Sequence, residues 1–207
     1  MSALVEVAAA GAVAAVCFLI GSTNPAAIAA RALGEDLRGS GSGNPGATNA
    51  GRVLGVRWGV LVGVLDVAKA YVPTLVLLHW PGLPADQRLR MALLGATAVV
   101  LGHMFSPFLR GRGGKGVATA LGAILAIEPW IALAAFAVFV AVAVVLKRVG
   151  RGSVAACGAL LLFGLLDGLG VLGLAPRLVG WWLAGLSLLV LLRHRRNIEA
   201  WVRRTMA

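Results

Sequence analysis

The feature that most limits what this chain can fold into is a series of long apolar runs separated by short polar segments. Seven runs lie at 3–30, 53–78, 91–109, 116–127, 130–146, 153–174 and 178–192. Several approach or exceed the ~20 residues with which a helix crosses the hydrocarbon core of a bilayer. In lipid a helix satisfies its own backbone hydrogen bonds, whereas an open sheet does not. The runs predict an all-α, polytopic membrane protein of about seven transmembrane helices, with residues 1–207 forming a single domain.

The composition is also that of a membrane protein. Hydrophobic residues make up 59% of the chain and charged residues only 13%, whereas about a quarter of a soluble domain is charged. A net charge of +11 is compatible with nucleic-acid binding, but the basic residues stand in short clusters between apolar runs. No groove of alternating basic and aromatic residues is evident. We therefore predict membrane lipid, and not nucleic acid, as a partner.

The distribution of basic residues predicts the orientation in the membrane. With seven crossings, one side receives fourteen Lys and Arg residues and the other only Arg88, Arg90 and Arg177. The positive-inside rule then places the N-terminus outside and the C-terminus in the cytoplasm. A five-span alternative, with the short runs re-entrant, keeps the first loop and the tail inside. The first run lacks a positively charged start, so we interpret it as a retained span and not as a signal peptide.

The two cysteines, Cys17 and Cys157, both lie inside apolar runs. Neither has a second Cys or a His at the spacing of metal ligands. We interpret them as small buried side chains and predict no disulfide, no metal and no cofactor.

The first polar motif, GSGNPGATN at 41–49, is followed by Arg52. The motif contains three glycines, Gly41, Gly43 and Gly46. They allow backbone N–H groups to converge on an anion. Four residues add neutral hydrogen-bonding groups: Ser42, Asn44, Thr48 and Asn49. The planar guanidinium of Arg52 can clamp a phosphate. We favour ligand binding over the alternative of a flexible loop with an Asx-type turn and a helix cap at Thr48 or Asn49.

The second motif, GRGGKGVAT at 111–119, surrounds Lys115 with glycines immediately before an expected helix. Backbone N–H groups, the helix dipole and the ammonium group could meet one phosphate there. The glycines next to the lysine are Gly113, Gly114 and Gly116. The motif fails the Walker A pattern, and no βαβ unit accompanies it, so nucleotide hydrolysis is not expected. A turn that served only topology would not need four glycines.

The third motif, RHRRNIEAW at 193–201, follows the last apolar run. His194 and Asn197 are three residues apart and would share one face of a helix. A histidine beside arginines at the membrane surface can bind phosphate or move a proton. The alternative is a polybasic segment that contacts anionic lipid, which explains some of the arginines.

Three smaller features are interpreted as structural. Asp66 and Lys69 lie three residues apart inside the second run and are expected to pair, because an isolated charge in lipid is costly. His103 is expected to cap or hydrogen-bond a neighbouring helix. Ser153 follows a basic cluster at 147–151 and is an N-cap candidate.

In this order and spacing, GSGNPGATN with Arg52, GGKGVAT at 113–119 and RHRRNI at 193–198 resemble the bacterial, membrane-integral acyl-phosphate:glycerol-3-phosphate acyltransferase family. The similarity covers nearly the whole chain, although the tail lacks the Gly-x-Glu ending of the family. The resemblance implies an inner-membrane enzyme with its active site at the cytoplasmic face. Such an enzyme transfers a fatty acyl group from acyl phosphate to the sn-1 hydroxyl of glycerol 3-phosphate, giving lysophosphatidate and phosphate. Residues that line the family's phosphate-binding site are present at six positions: Ser42, Arg52, Lys115, Ser153, His194 and Asn197.

Acyl phosphate already carries a good leaving group, so catalysis can rest on positioning and charge stabilisation. We expect Ser42, Lys115 and His194 to be catalytic and the transfer to be direct. Ser42 has no identifiable base partner that would make it an acyl-enzyme nucleophile. The hydroxyl proton would pass to His194 or to a phosphate oxygen of the substrate.

Two other functions remain open from the sequence. A transporter of phosphorylated solutes would also need phosphate loops, although its ionisable sites usually lie near mid-membrane. An inactive lipid-binding relative is suggested by the shortened tail. Nothing in the sequence implies an oligomer, and we expect a monomer.

Overall fold

The computed structural model describes residues 3–195 and 198–199, and the regular structure of this part is entirely helical. In chain order its helices are α1 Ala3–Ser22, α2 Pro25–Ala32, α3 Ala47–Val53, α4 Val56–Leu78, α5 Ala85–Met104, a 3₁₀ turn Pro107–Leu109, α6 Val117–Ile127, α7 Pro129–Val145, α8 Val149–Gly168 and α9 Arg177–Arg193. The all-α prediction is confirmed.

Four stretches of the described chain are long and apolar enough to cross a membrane: Leu4–Ala32, Val56–Leu78, Ala85–Leu109 and Val149–Gly168. Helices α6 and α7 are also apolar but shorter, with 11 and 17 residues. These lengths agree with a multi-pass membrane protein. The count of seven crossings and the orientation stay predictions.

The first apolar run is not one helix, because it breaks at Thr23 and Asn24. Asn24 is the N-cap of α2, where its Oδ1 accepts a hydrogen bond of 2.7 Å from the Ala27 N–H. Pro25 occupies the first helical position and has no N–H with which α1 could continue. Hydropathy alone does not detect this break, since Asn-Pro is only two residues in a long apolar run.

The chain divides into two compact units, Met1–Ile127 and Glu128–Ala207. In the first, α1 packs along α5, and α4 packs against α3, α5 and α6. Helices α1 and α5 touch backbone to backbone: a Cβ on Gly21 would overlap the Val99 carbonyl, and a Cβ on Gly102 would overlap the Phe18 carbonyl. Such close approach through glycine is typical of helix pairs in membranes.

A small apolar core lies beneath the first polar motif. It consists of Ala26 and Ala30 from α2, Ala50 from α3, Val62 from α4 and Leu37 from the preceding loop, all of which are buried. Three of its five members are alanines, which lets the helices approach closely. The motif is therefore seated on packed helices.

In the second unit, α8 packs against both α7 and α9. A Cβ on Gly164 would lie only 2.6 Å from the Ala184 nitrogen, so α8 and α9 are also in close contact. The loop between these two helices is fastened by buried Asp167, whose Oδ1 accepts a 2.7 Å hydrogen bond from the Leu174 N–H. The prediction of one domain over the whole chain stays a prediction.

Candidate active site

Asn49 holds the first glycine loop, residues 39–46, in its conformation. Its side chain is 1% exposed. Its Oδ1 accepts a 2.7 Å hydrogen bond from the Ser42 N–H, while its Nδ2 donates to the carbonyls of Leu37 at 2.9 Å and Ser40 at 3.1 Å. Gly41 has φ 63°, and a Cβ there would overlap Asn49 Oδ1. The Asn49 amide is thus committed to the loop, and its predicted contact with substrate stays a prediction.

Neither Thr48 nor Asn49 caps the following helix. Helix α3 begins at Ala47, and its N-cap is Gly46, which has no side chain to offer. The alternative of a helix cap at Thr48 or Asn49 is wrong, because both residues already lie in the first turn of α3.

Three side chains with predicted substrate contacts are exposed around the first loop: Ser42, Thr48 and Arg52. Asn44 and Gly43 are half-buried. The loop is also anchored at Pro45, whose carbonyl accepts a 3.0 Å hydrogen bond from Asn24 Nδ2. The buried amides of Asn24 and Asn49 therefore fix the backbone of the loop. The exposed hydroxyl and guanidinium groups around it can then contact a ligand.

The second glycine loop, residues 110–116, is docked on the end of α5. The Gly113 N–H donates to the Met104 carbonyl at 3.0 Å, and the Gly114 N–H donates to the His103 carbonyl at 3.1 Å. Lys115 follows, and α6 begins two residues later at Val117. The prediction that this motif immediately precedes a helix is confirmed. Helix dipole and ammonium group are thereby close together, an arrangement that favours an anion.

Arg38 holds the two glycine loops side by side in the first unit. Its Nη2 donates to the Arg112 carbonyl at 2.6 Å. Its own position is fixed by Asp36, whose carboxylate accepts hydrogen bonds from the Arg38 and Gly39 N–H groups at 2.8 and 3.0 Å. Sequence reasoning did not identify this link. The Asp-x-Arg-Gly order signals an Asx turn, but it does not reveal the partner 74 residues away.

A buried polar cluster lies beside the second loop. Lys69 Nζ is 2.9 Å from Asp66 Oδ1, 2.9 Å from His103 Nδ1 and 2.7 Å from the Thr23 carbonyl oxygen. His103 Nδ1 also lies 3.3 Å from Asp66 Oδ1. The predicted pairing of Asp66 with Lys69 is confirmed, as is the predicted hydrogen bond between His103 and a neighbouring helix.

Ser153 lies in the second unit and does not cap α8. The helix begins at Val149 with Arg148 as its N-cap. Ser153 is buried in the second turn, where its Oγ donates to the Val149 carbonyl at 3.1 Å. The N-cap prediction was wrong because Gly150, Arg151 and Gly152, which precede Ser153, are already helical. Its predicted role in substrate binding is a separate matter and stays a prediction.

His194, also in the second unit, ends α9 and is 2% exposed. Its Nδ1 lies 2.9 Å from the Val190 carbonyl oxygen. A carbonyl only accepts, so Nδ1 carries the proton, and in the neutral ring the lone pair lies on Nε2. This tautomer suits a proton acceptor. Asn197, its predicted partner, lies outside the described residues.

Cys17 and Cys157 are both buried, as predicted. Within the described residues, no group of three or more His, Cys, Asp and Glu side chains is arranged to hold a metal ion.

Comparison with known proteins identifies the family. The family model described as glycerol-3-phosphate acyltransferase matches residues 11–204. The glycerol-3-phosphate acyltransferase of Aquifex aeolicus (strain VF5) is 37% identical over 182 residues, which are 88% of this chain and 90% of the relative. That of Anaeromyxobacter dehalogenans (strain 2CP-C) is 42% identical over 172 residues, with 83% and 82% covered.

Two solved structures agree with the sequence matches. The crystal structure of PlsY (YgiH), an integral membrane glycerol 3-phosphate acyltransferase, in its glycerol 3-phosphate form superimposes with a TM-score of 0.83 at 34% identity. The match covers 94% of this chain and 92% of that chain. The lysophosphatidic acid form gives a TM-score of 0.79 at the same identity. On sequence and structure together, this chain belongs to the glycerol-3-phosphate acyltransferase family of integral membrane proteins.

Proposed function

We propose that this protein transfers a fatty acyl group from acyl phosphate to the sn-1 hydroxyl of glycerol 3-phosphate, the first step of phospholipid synthesis. It does so at the cytoplasmic face of the inner (plasma) membrane. The observation that carries the proposal is the pair of glycine loops joined by Arg38, since one loop leads to Arg52 and the other to Lys115. Both substrates bear a phosphate, so a site with two cationic loops suits this pair.

The reaction needs no acyl-enzyme. The sn-1 oxygen attacks the acyl carbon, a C–O ester bond forms, and the C–O bond to the phosphate oxygen breaks. The electron pair of the broken bond stays on phosphate, which leaves as the second product. The proton of the hydroxyl passes to His194 Nε2 or to a substrate phosphate oxygen. The driving force is the conversion of a mixed anhydride into an ester, so the protein contributes mainly orientation and charge stabilisation.

The first loop is assigned to glycerol 3-phosphate. The Arg52 guanidinium binds its phosphate through two parallel hydrogen bonds, and the hydroxyls of Ser42 and Thr48 add neutral donors. The burial of Asn49 supports this assignment, because a loop fixed from below loses little further entropy when the ligand binds.

The second loop is assigned to acyl phosphate. The Lys115 ammonium and the N–H groups at the start of α6 neutralise the phosphate and stabilise the charge that develops as it leaves. The acyl chain lies in a groove between helices that is open to the lipid. Ser153, His194 and Asn197 are assigned to the substrates from the family resemblance, and the Nδ1–H tautomer of His194 supports its role as the proton acceptor.

The test measures phosphate release and lysophosphatidate formation by the purified protein in lipid, since transfer from a CoA thioester would release CoA and no phosphate. Palmitoyl phosphate is supplied with and without glycerol 3-phosphate, and palmitoyl-CoA is the control donor. We expect release that requires glycerol 3-phosphate, yields lysophosphatidate and falls by about 10²–10³-fold in Lys115→Ala, the usual effect of losing one stabilising donor. Arg90→Ala is the matched control, because Arg90 is an exposed cation on α5 away from both loops.

Either of two results would contradict the proposal. Turnover with palmitoyl-CoA alone would assign a different donor. A folded protein that turns over neither donor, and instead moves phosphorylated solutes across vesicles, would support the transport alternative.

A further inference from the structure

The buried cluster of Asp66, Lys69 and His103 has no part in the proposed transfer, yet its geometry is well defined. The Lys69 ammonium lies within hydrogen-bonding distance of the Thr23 carbonyl and His103 Nδ1, and it forms an ion pair of 2.9 Å with Asp66 Oδ1. The Asp66 and His103 side chains are themselves only 3% and 4% exposed. Since an ammonium group only donates, a hydrogen bond across the 2.9 Å between Lys69 Nζ and His103 Nδ1 requires Nδ1 to accept, whereas donation from Nδ1 to Asp66 Oδ1 would use the longer separation of 3.3 Å.

The shorter of these two contacts favours one tautomer of His103. With Nδ1 accepting from Lys69, the proton of the neutral ring resides on Nε2, at the opposite edge of the imidazole. A doubly protonated ring would direct an N–H at the ammonium group across 2.9 Å, which pairs donor with donor and like charge with like charge. The Nε2–H edge of the His103 ring therefore points away from Lys69 and Asp66 on α4.

That edge lies against the second glycine loop. A Cβ on Gly114 would overlap His103 Nε2 and would lie 2.8 Å from Cε1 and 3.1 Å from Cδ2. Gly114 is required there because of the imidazole and not because of its φ, which lies outside the left-handed region. The Gly113 and Gly114 N–H groups are also bonded to the last carbonyls of α5. The imidazole edge and the loop backbone thus form one packed unit.

We propose that Asp66, Lys69 and His103 are positioning residues for the second glycine loop. Lys69, neutralised by Asp66, fixes the orientation and tautomer of His103, and the His103 edge then sets the path of the backbone that leads to Lys115. The inference deepens the proposed function, on which it rests for the identity of the loop's ligand. A cluster that served only to neutralise charge inside the membrane would have no coupling to Gly114.

The test is a double-mutant cycle between positions 103 and 114. Gly114→Ala introduces a methyl group that collides with the imidazole. His103→Asn removes Nε2 and Cε1, the two ring atoms closest to that methyl group. The nearest remaining position, that of Cδ2, is 3.1 Å from the methyl group. The asparagine still offers Lys69 an acceptor at the position of Nδ1. Gly11→Ala is the matched control, since a Cβ there meets nothing within 4 Å.

We expect Gly114→Ala to raise KM for palmitoyl phosphate about tenfold, a typical coupling between residues in contact, with KM for glycerol 3-phosphate little changed. His103→Asn alone should raise the same KM by a smaller factor. The double variant should recover most of the loss caused by Gly114→Ala. If the increase in KM of the double variant equalled the product of the two single increases, residues 103 and 114 would act independently. That result would overturn the proposal.

A second readout does not depend on turnover. In protein labelled with ¹⁵N-histidine, the His103 signals, assigned by their loss in His103→Asn, should show an unprotonated Nδ1 and a protonated Nε2. The paired substitution Asp66→Asn with Lys69→Met, which removes both charges together, should abolish this preference. A protonated Nδ1 in the unaltered protein would overturn the inference.

The two readouts also separate the inference from the proposed function. If the protein fails to use palmitoyl phosphate, the proposed function fails. The ¹⁵N signals would then still decide whether the cluster positions the loop, as would a thermal unfolding midpoint that Gly114→Ala lowers and the double variant restores.

Discussion

Replacing Asn49 by alanine tests whether a buried amide holds the first glycine loop in its binding conformation. The substitution removes three hydrogen bonds, to Ser42 N–H, Leu37 O and Ser40 O. Leu37 is buried, so its carbonyl is left without a partner at a cost of about 1–2 kcal/mol. The other two groups are reached by water and cost about 0.5–1 kcal/mol each. The sum, about 3 kcal/mol, corresponds to a factor of about 150 in the population of the native loop.

The assay compares catalytic efficiency with global stability. We expect kcat/KM for glycerol 3-phosphate to fall by about 10²-fold, while the thermal unfolding midpoint in detergent changes little, because residues 39–46 lie outside the helices. Asn49→Asp should be no better. It keeps the acceptor for Ser42 but loses both donors and adds a buried negative charge at a loop meant for an anion.

Gly51→Ala is the matched control for this experiment. Gly51 lies in the same helix, and a Cβ there would make an ordinary 3.5 Å contact with Gly59. Its activity should equal that of the unaltered protein. If Asn49→Ala kept kcat/KM within about threefold, or lost activity only in proportion to global unfolding, the argument from its hydrogen bonds would be refuted.

Three further predictions concern the link between the loops, helix packing and pH. Arg38→Lys keeps the charge but loses the guanidinium group that donates to the Arg112 carbonyl. KM for both substrates should therefore rise about fivefold in steady-state assays. An unchanged KM would exclude a role of Arg38 in linking the two glycine loops. Gly122→Ala drives a methyl group into a backbone carbonyl of α4 and should lower the Tm by about 5 °C, whereas Gly158→Ala, with open space around it, should not lower it. Glu128 lies between α6 and α7. Burial raises its pKa, and the nearby carboxylate of Asp167 on α8 raises it further. The contribution of Glu128 to stability is therefore present at low pH and lost as pH rises through the folded-state pKa. Glu128→Gln should accordingly unfold at a higher temperature than the unaltered protein at about pH 8 and at the same temperature near pH 4, and a constant difference across this range would contradict the assignment.

Sequence reasoning predicted the features that follow from local pattern. Hydropathy marked the apolar helices, and the glycines around Lys115 marked a loop that directly precedes a helix. The spacing of Asp66 and Lys69 was enough to predict their ion pair, because three residues bring two side chains to one helix face. Each of these signals lies within a window of a few turns.

The contacts that position the candidate site could not be predicted in the same way. Arg38 bonds to a carbonyl 74 residues away, and His103 meets Lys69 at a separation of 34 residues. A helix cap was predicted at Thr48 or Asn49 as an alternative because Asn and Thr favour caps, but Asn49 instead bonds backward to the loop. Pattern reasoning identifies which side chains can bond, whereas tertiary packing determines the partner.

The glycine contacts between α1 and α5 have a mechanical consequence. Where Gly21 and Gly102 bring backbone onto backbone, no flexible side chain separates the two helices and could absorb a displacement. A bilayer of different thickness can tilt such a pair together, but sliding one helix past the other would drive carbonyls into Cα atoms. The end of α5, which carries the second glycine loop, therefore keeps a constant height relative to α1. We expect the distance between probes on these two helices to be the same in thin and thick membranes, even where the tilt of the pair differs.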